Sequence, residues 1–196
     1  MTLRGDAMLL THGGEGTDRL IAAALLLDAV LGGQLDIEDG ALVAGPERAE
    51  SPLVAELRAR VMTGPPESPH AWIERAAQFA PTRTAAELIA AGAASPLERR
   101  FRRRFTLSVD ARAEAAARER LAHDPVLAAL MGAGPLPPAT HTLPPAVQAI
   151  LVQDIRSSAI DSKTWTYAST DASSWVTDRV HSSSRPGVMK IPRFML

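Results

Sequence analysis

Residues 17–33 read TDRLIAAALLLDAVLGG, and the fold turns on them. Thr17 and Asp18 carry helix-start chemistry, an almost unbroken apolar run fills Leu20 to Leu31, and Gly32-Gly33 closes it. A short oxygen-bearing side chain satisfies the free amides of a first turn, and glycine readily takes the left-handed backbone that ends a helix. With nearly every position apolar, this helix has no face to show water and is expected to be buried on most sides.

Downstream, Leu35-Asp-Ile37-Glu-Asp39-Gly40-Ala-Leu42-Val43 alternates around Asp-Gly, which predicts a hairpin. Ser51-Pro52 opens a helix with Leu53, Leu57 and Val61 on one face, and Gly64-Pro65-Pro66 breaks it. Ser68-Pro69 opens the next, with Ile73, Ala76 and Ala77 aligned; proline suits the first helical position, where its missing N–H has no partner. Thr84-Ala-Ala-Glu87 reads as a capping box, with Gly92 as the stop. Over Ser95–Val109 a run of arginines leads into Phe105-Thr-Leu107-Ser-Val109, whose period of two predicts a second, strongly basic hairpin. Asp110 starts a helix to about His123, Asp124-Pro125 starts another that ends at Gly132, and Val147, Ile150 and Leu151 mark a last one after a Pro-rich connector. Beyond Arg156 the chain is Ser/Thr-rich, with Trp165, Tyr167 and Trp175 and no clean period. The expected organisation is a helical domain over residues 1–156 and an irregular arm over 157–196. The class is mainly α: a helical core surrounded by amphipathic helices, with one or two β-hairpins. Lack of βαβ alternation argues against a Rossmann-type site.

Composition narrows the function classes. A chain of 196 residues, 46% apolar, suits one domain with a real core, built from Leu, Ala, Val and Ile because aromatics make up only 4%. A net charge of -1 provides no global field for nucleic acid. Without cysteine there are no disulfides, thiolate nucleophiles or Cys-based zinc sites. The five His residues are scattered with no HExxH pair, and no GxxxxGK[ST] cradle is present, so neither metal nor cofactor is expected. Met1–Asp6 lacks the apolar run of a signal peptide, and the Leu20–Leu31 stretch is too short for a bilayer and contains Asp28. A soluble, cytoplasmic protein is expected.

Several blocks together resemble the Golgi phosphoprotein 3 family, in its actinobacterial branch. Leu9-Leu10 with the Gly-rich loop Gly13-Gly-Glu-Gly16-Thr17 is similar to the family's opening, and Leu31-Gly-Gly-Gln-Leu35 with the acidic hairpin to its second block. The most specific stretch runs from Pro52-Leu-Val-Ala-Glu56 through Thr63-Gly-Pro65-Pro66 to Trp72-Ile73-Glu74; Leu88-Ile-Ala-Ala-Gly92, the basic hairpin and the Asp110 helix follow in family order. The resemblance covers about residues 7–151 and implies an α-helical domain with a protruding hairpin that supports self-association. It also implies a basic pocket for phosphatidylinositol 4-phosphate, built from a loop Trp, an Arg on the first core helix and two further Arg. In this chain the loop, His12 to Thr17, holds no aromatic; the helix Arg falls at Ala22, with Arg19 one turn earlier; the paired Arg fall near Gln78 and Pro81, with only Arg83 close by. Selective capture of that lipid is therefore not expected.

Two function classes follow from these readings. The first is a cofactor-independent dehydratase of aromatic (p-terphenyl type) natural-product biosynthesis, acting beside a ketoreductase on a small aromatic substrate. Here His12 and Glu15 would exchange protons, while Asp18, Arg19 and Arg83 bind substrate and a developing oxyanion. The second is a peripheral adaptor for phosphoinositide or anionic lipid, and a non-catalytic partner subunit is a further alternative. His70 and Glu74, four apart beside Trp72, form a second acid/base candidate, although an exposed pair at a helix start fits the same spacing. Phe101, Arg102, Arg103 and Phe105 on the basic hairpin are expected to join copies into a homo-oligomer, with weak membrane contact the second reading.

Overall fold

The computed structural model describes residues 2–14, 17–46, 51–97, 106–132, 147, 148 and 150. All of them belong to the first of two units in the chain, Met1–Asp161. The expected arm, residues 157–196, lies outside the described residues. Seven helices are described: α1 (Leu3–Thr11), α2 (Asp18–Leu31), α3 (Pro52–Thr63), α4 (Pro69–Ala76), α5 (Ala80–Ala90), α6 (Ala111–His123) and α7 (Pro125–Leu130). Two antiparallel hairpins accompany them, β1 (Leu35–Glu38) with β2 (Ala41–Ala44) and β3 (Ala94–Leu97) with β4 (Thr106–Val109). The class is mainly α.

Helix α2 is the axis. Residues Ile21 to Leu27 and Ala29 are fully buried, and α1, α3, α4, α5 and β1 pack around it. Each buried Leu or Ile contributes roughly 1.5–3 kcal/mol of transfer free energy, so this one element supplies much of the core. The helix ends as its two glycines predict. Gly33, at φ 70, donates to the Val30 carbonyl at 2.9 Å, and Gln34 donates to that of Ala29 at 2.8 Å. These are the two bonds of a Schellman cap. The chain then turns into β1, and Asp39 and Gly40, both at positive φ, make the tight turn to β2.

The proline starts form as expected. Ser51 and Ser68 accept amides of α3 and α4 at 3.3 and 3.4 Å, with Pro52 and Pro69 in the first turns. Asp110 and Asp124 cap α6 and α7 in the same way. Two local expectations are corrected. Thr84 does not begin a helix: α5 starts four residues earlier at Ala80, with Pro81 in its first turn. Thr84 is instead buried, with no hydrogen-bond partner for its hydroxyl, and Glu87 reaches another helix. A capping-box pattern in a helix interior is chemically silent, because interior amides already have carbonyl partners. Second, Thr17 is the N-cap of α2 but its side chain does not cap: the hydroxyl donates to the Gly14 carbonyl at 2.7 Å. Helix α1 has no counterpart among the elements read from the sequence, yet Thr2 caps it, accepting the Gly5 amide at 3.3 Å, and all of Leu3–Leu9 is buried.

Part of the reason is ionic. Asp28 interrupts the apolar α2, and its carboxylate accepts the Leu3 amide at 2.8 Å and the Arg4 guanidinium at 2.7 Å. It thereby caps a helix distant in sequence. Arg4, 1% exposed, also donates to Ser51 Oγ at 2.6 Å and to Glu87 at 3.0 Å. Two residues on, the buried Asp6 takes both Nε and Nη2 of Arg120, at 2.8 and 2.7 Å, and ties α1 to α6. Helix α1 is thus tied into the fold by its charges as well as by the buried Leu3, Ala7, Met8 and Leu9.

Candidate functional site

A cavity of about 240 Å³ opens beside the start of α2. Its walls come from four places. Met8 lies on α1, and Gly13 and Gly14 on the turn that follows; Thr17 and Asp18 stand at the entry to α2. Ala77 and Gln78 end α4, Pro81, Thr82 and Ala85 lie on α5, and Leu107 comes from β4. Met8 and Leu107 are buried and Asp18, Gln78 and Thr82 exposed, so an apolar floor carries a polar rim.

The turn has a definite backbone. His12 and Gly13 both take positive φ, 54 and 61, reversing the chain between α1 and α2. Gly14 donates to the Thr11 carbonyl at 3.0 Å and accepts the Thr17 hydroxyl at 2.7 Å. A Cβ on Gly14 would meet that same Thr11 oxygen at 3.2 Å, so a side chain there crowds the turn. Opposite, the Phe79 amide bonds the Ala76 carbonyl at 3.0 Å in the tight link from α4 to α5, which brings Gln78 to the rim.

The residues named from sequence distribute as follows. Asp18 lines the cavity. His12 does not; its Nε2 lies 3.3 Å from Glu114 Oε1 on α6, and that carboxylate also holds Arg118 at 2.6 Å. Glu15 lies outside the described residues. Arg19 turns to Glu74 at 2.6 Å, and Arg83, largely exposed, lies 4.0 Å from Glu56. Arg19 is thus paired with Glu74, whereas Arg83 lies beyond hydrogen-bond distance of Glu56. Glu74 faces Arg19 across the α2–α4 contact, and Trp72 is core, 2% exposed. The positions matching the family's basic residues divide too: Gln78 and Pro81 line the cavity, while Ala22 is fully buried. Phe101, Arg102, Arg103 and Phe105 lie outside the described residues, but the strands that frame them pair as an antiparallel ladder from Ala94↔Val109 to Leu97↔Thr106.

Sequence reasoning missed Arg4, Asp6 and Arg120; Asp28, an acid inside an apolar helix, signalled that it needs a partner but not which residue supplies it, and nothing signalled the Asp6–Arg120 pair. Among the described residues no group of three or more His, Asp or Glu is placed to hold a metal, and no helix is long and apolar enough to cross a membrane.

A family model, Golgi phosphoprotein 3 (GPP34), matches residues 6–163. No curated protein matches the chain. The match spans most of the sequence, and the chain belongs to the Golgi phosphoprotein 3 family. Membership corrects the expectation of a dehydratase: the family is a Golgi phosphoprotein family, and it favours the lipid-binding adaptor instead. Among the described residues Asp18 is the one ionisable side chain on the cavity wall.

Proposed function

We propose that this member of the Golgi phosphoprotein 3 family is a peripheral adaptor that binds anionic lipid surfaces without selecting a phosphoinositide head group. The family match over residues 6–163 carries the reading. The cavity at the α2 entry adds to it, because among the described residues its wall carries no Arg, Lys or His, the convergent donors that a phosphorylated ring needs. Residues 98–105, Glu-Arg-Arg-Phe-Arg-Arg-Arg-Phe, supply a separate anionic-surface contact in sequence, with five arginines to one acid and two phenylalanines to enter the interface. Each basic residue near an anionic leaflet contributes about 1 kcal/mol. Self-association through the same hairpin would double the contact and raise avidity.

Flotation with vesicles tests this. Phosphatidylcholine vesicles carrying phosphatidylglycerol should capture the protein at low salt and release it as salt rises, since the attraction is screened. At matched charge, phosphatidylinositol 4-phosphate should give no preference. Replacing Arg102 and Arg103 by Ser should weaken capture roughly tenfold or more. Absence of capture by any anionic vesicle at low salt would sink the adaptor reading.

A further inference from the structure

The two hairpins are built alike and charged oppositely. Helices α2 and α5 start beside one cavity, which Thr17, Asp18, Pro81 and Thr82 line together. One turn before they end, Arg4 holds both Asp28 and Glu87, so the two run side by side to the same level. Each ends at a glycine of φ 70, Gly33 and Gly92. The next residue closes each hairpin at its base: the Gln34 carbonyl accepts the Gly45 amide at 2.8 Å, and the Ala93 carbonyl accepts the Asp110 amide at 3.0 Å. On β1, Asp36 and Glu38 alternate with the inward Leu35 and Ile37, and together with Asp39 at the turn they are exposed. Among the described residues no cation pairs with these three carboxylates, whereas Asp6, Asp28, Glu67, Glu74 and Glu87 each hold an arginine. The far side of β2 is covered, where the Leu42 amide reaches the Glu67 carbonyl at 2.8 Å, but β1 pairs with β2 alone among the described residues. Asp36 accepts the Ile37 amide at 2.7 Å, so this open side offers carboxylates more than backbone donors. The counter-charge lies in the other hairpin, where Arg100, Arg102 and Arg104 recur with the same period of two. A strand sets alternate residues about 7 Å apart on one face, so two ladders of that period match charge for charge.

We propose that the acidic hairpin β1–β2 receives residues 99–104 of a second copy of this chain, and that the contact is reciprocal about a two-fold axis. A chain carrying both halves closes as a dimer, because each contact made is returned. This goes beyond the adaptor reading and beyond the expectation that the basic hairpin joins copies, since it names the surface that takes it. Three carboxylates against five arginines leave the joined hairpins basic, so the dimer still meets an anionic surface. Exposed charge pairs contribute little singly, so the dimer is weak and salt-sensitive, with a Kd on the order of 100 µM.

Sedimentation equilibrium of the full chain, with no lipid present, tests this at about 0.5 mM protein. In low salt the mass should approach that of two chains, and it should fall to one chain by about 0.5 M salt, where screening is nearly complete. Asp36→Lys with Glu38→Lys should sediment as a single chain, and so should Arg102→Glu with Arg104→Glu, circular dichroism checking that both stay folded. Mixed in equal amounts, these two reversed variants should pair again, because each hairpin then meets its opposite. Asp36→Asn with Glu38→Gln, which keeps the side-chain shapes, should weaken the wild-type dimer roughly tenfold. Basic hairpins that paired with each other would leave the Asp36/Glu38 variants dimeric and would gain nothing from mixing. A wild type of single-chain mass, Asp36/Glu38 variants that keep the two-chain mass, or a mixture that stays single-chain overturns the proposal. None of these results bears on capture by anionic vesicles, which tests the adaptor reading separately.

Discussion

Asp28 does two jobs from one position, capping α1 through the Leu3 amide and neutralising Arg4. Burial pushes its carboxyl above the ordinary aspartate value of 3.8, against the opposing pull of Arg4 and the backbone amides. The folded state therefore holds the proton more tightly than the unfolded chain does. The group's contribution to stability is full below pH 3.8 and is lost as pH rises through the folded value. Asp28→Asn should consequently cost most in acid and progressively less toward neutral pH, as read from thermal melts across that range. Arg4→Met removes the partner and leaves a buried carboxylate, at a cost of about 3–5 kcal/mol by urea unfolding. Combining it with Asp28→Asn should recover part of that loss, because the stranded charge is gone. A cost for Arg4→Met of under ~1 kcal/mol would mean that the pair is not what holds α1.

At the scale of elements, the turns and caps carry the fold's geometry, and two glycines separate strain from crowding. Gly92, at φ 70, closes α5 as Gly33 closes α2, and a Cβ added there meets nothing within 4 Å. Gly45 sits where β2 returns against the end of α2; a Cβ there would lie 2.5 Å from the Gly33 carbonyl oxygen. Gly92→Ala should therefore cost about 1 kcal/mol, the left-handed penalty alone. Gly45→Ala should cost more, because backbone must move and the bond from Gly45 to the Gln34 carbonyl, 2.8 Å, is strained with it. Melting temperatures of the two variants decide the order. Elements of this kind were the most legible part of the sequence. Ser-Pro, Asp-Gly and Gly-Gly pairs act within one turn of chain, so their chemistry does not wait for tertiary context. The Thr84–Glu87 pattern misled because the same residues are indifferent inside a helix and decisive only at its start.

For the whole molecule, assembly is the open physical quantity. The hairpin framed by β3 and β4 carries Phe101 and Phe105 between arginines, and a ribbon with unpaired edges invites a second copy. Phe101→Asp should lower the mass seen by light scattering to that of a single chain, and an unchanged mass would exclude the hairpin as the interface. The sequence by itself determined the class, the central buried helix, both hairpins and the capped helix starts, because hydrophobic period and turn chemistry are local. The family resemblance also marked the loop and the Gln78–Arg83 segment that line the cavity. Only the tertiary structure decided that α1 is buried, that Asp28 serves Arg4 and that Arg120 serves Asp6, residues 114 apart in the chain. The same holds beside the cavity: Arg19 is available to an anion in the sequence and is paired with Glu74 in the fold. Ion pairing depends on which side chains meet in space, and no period or motif along the chain encodes that meeting.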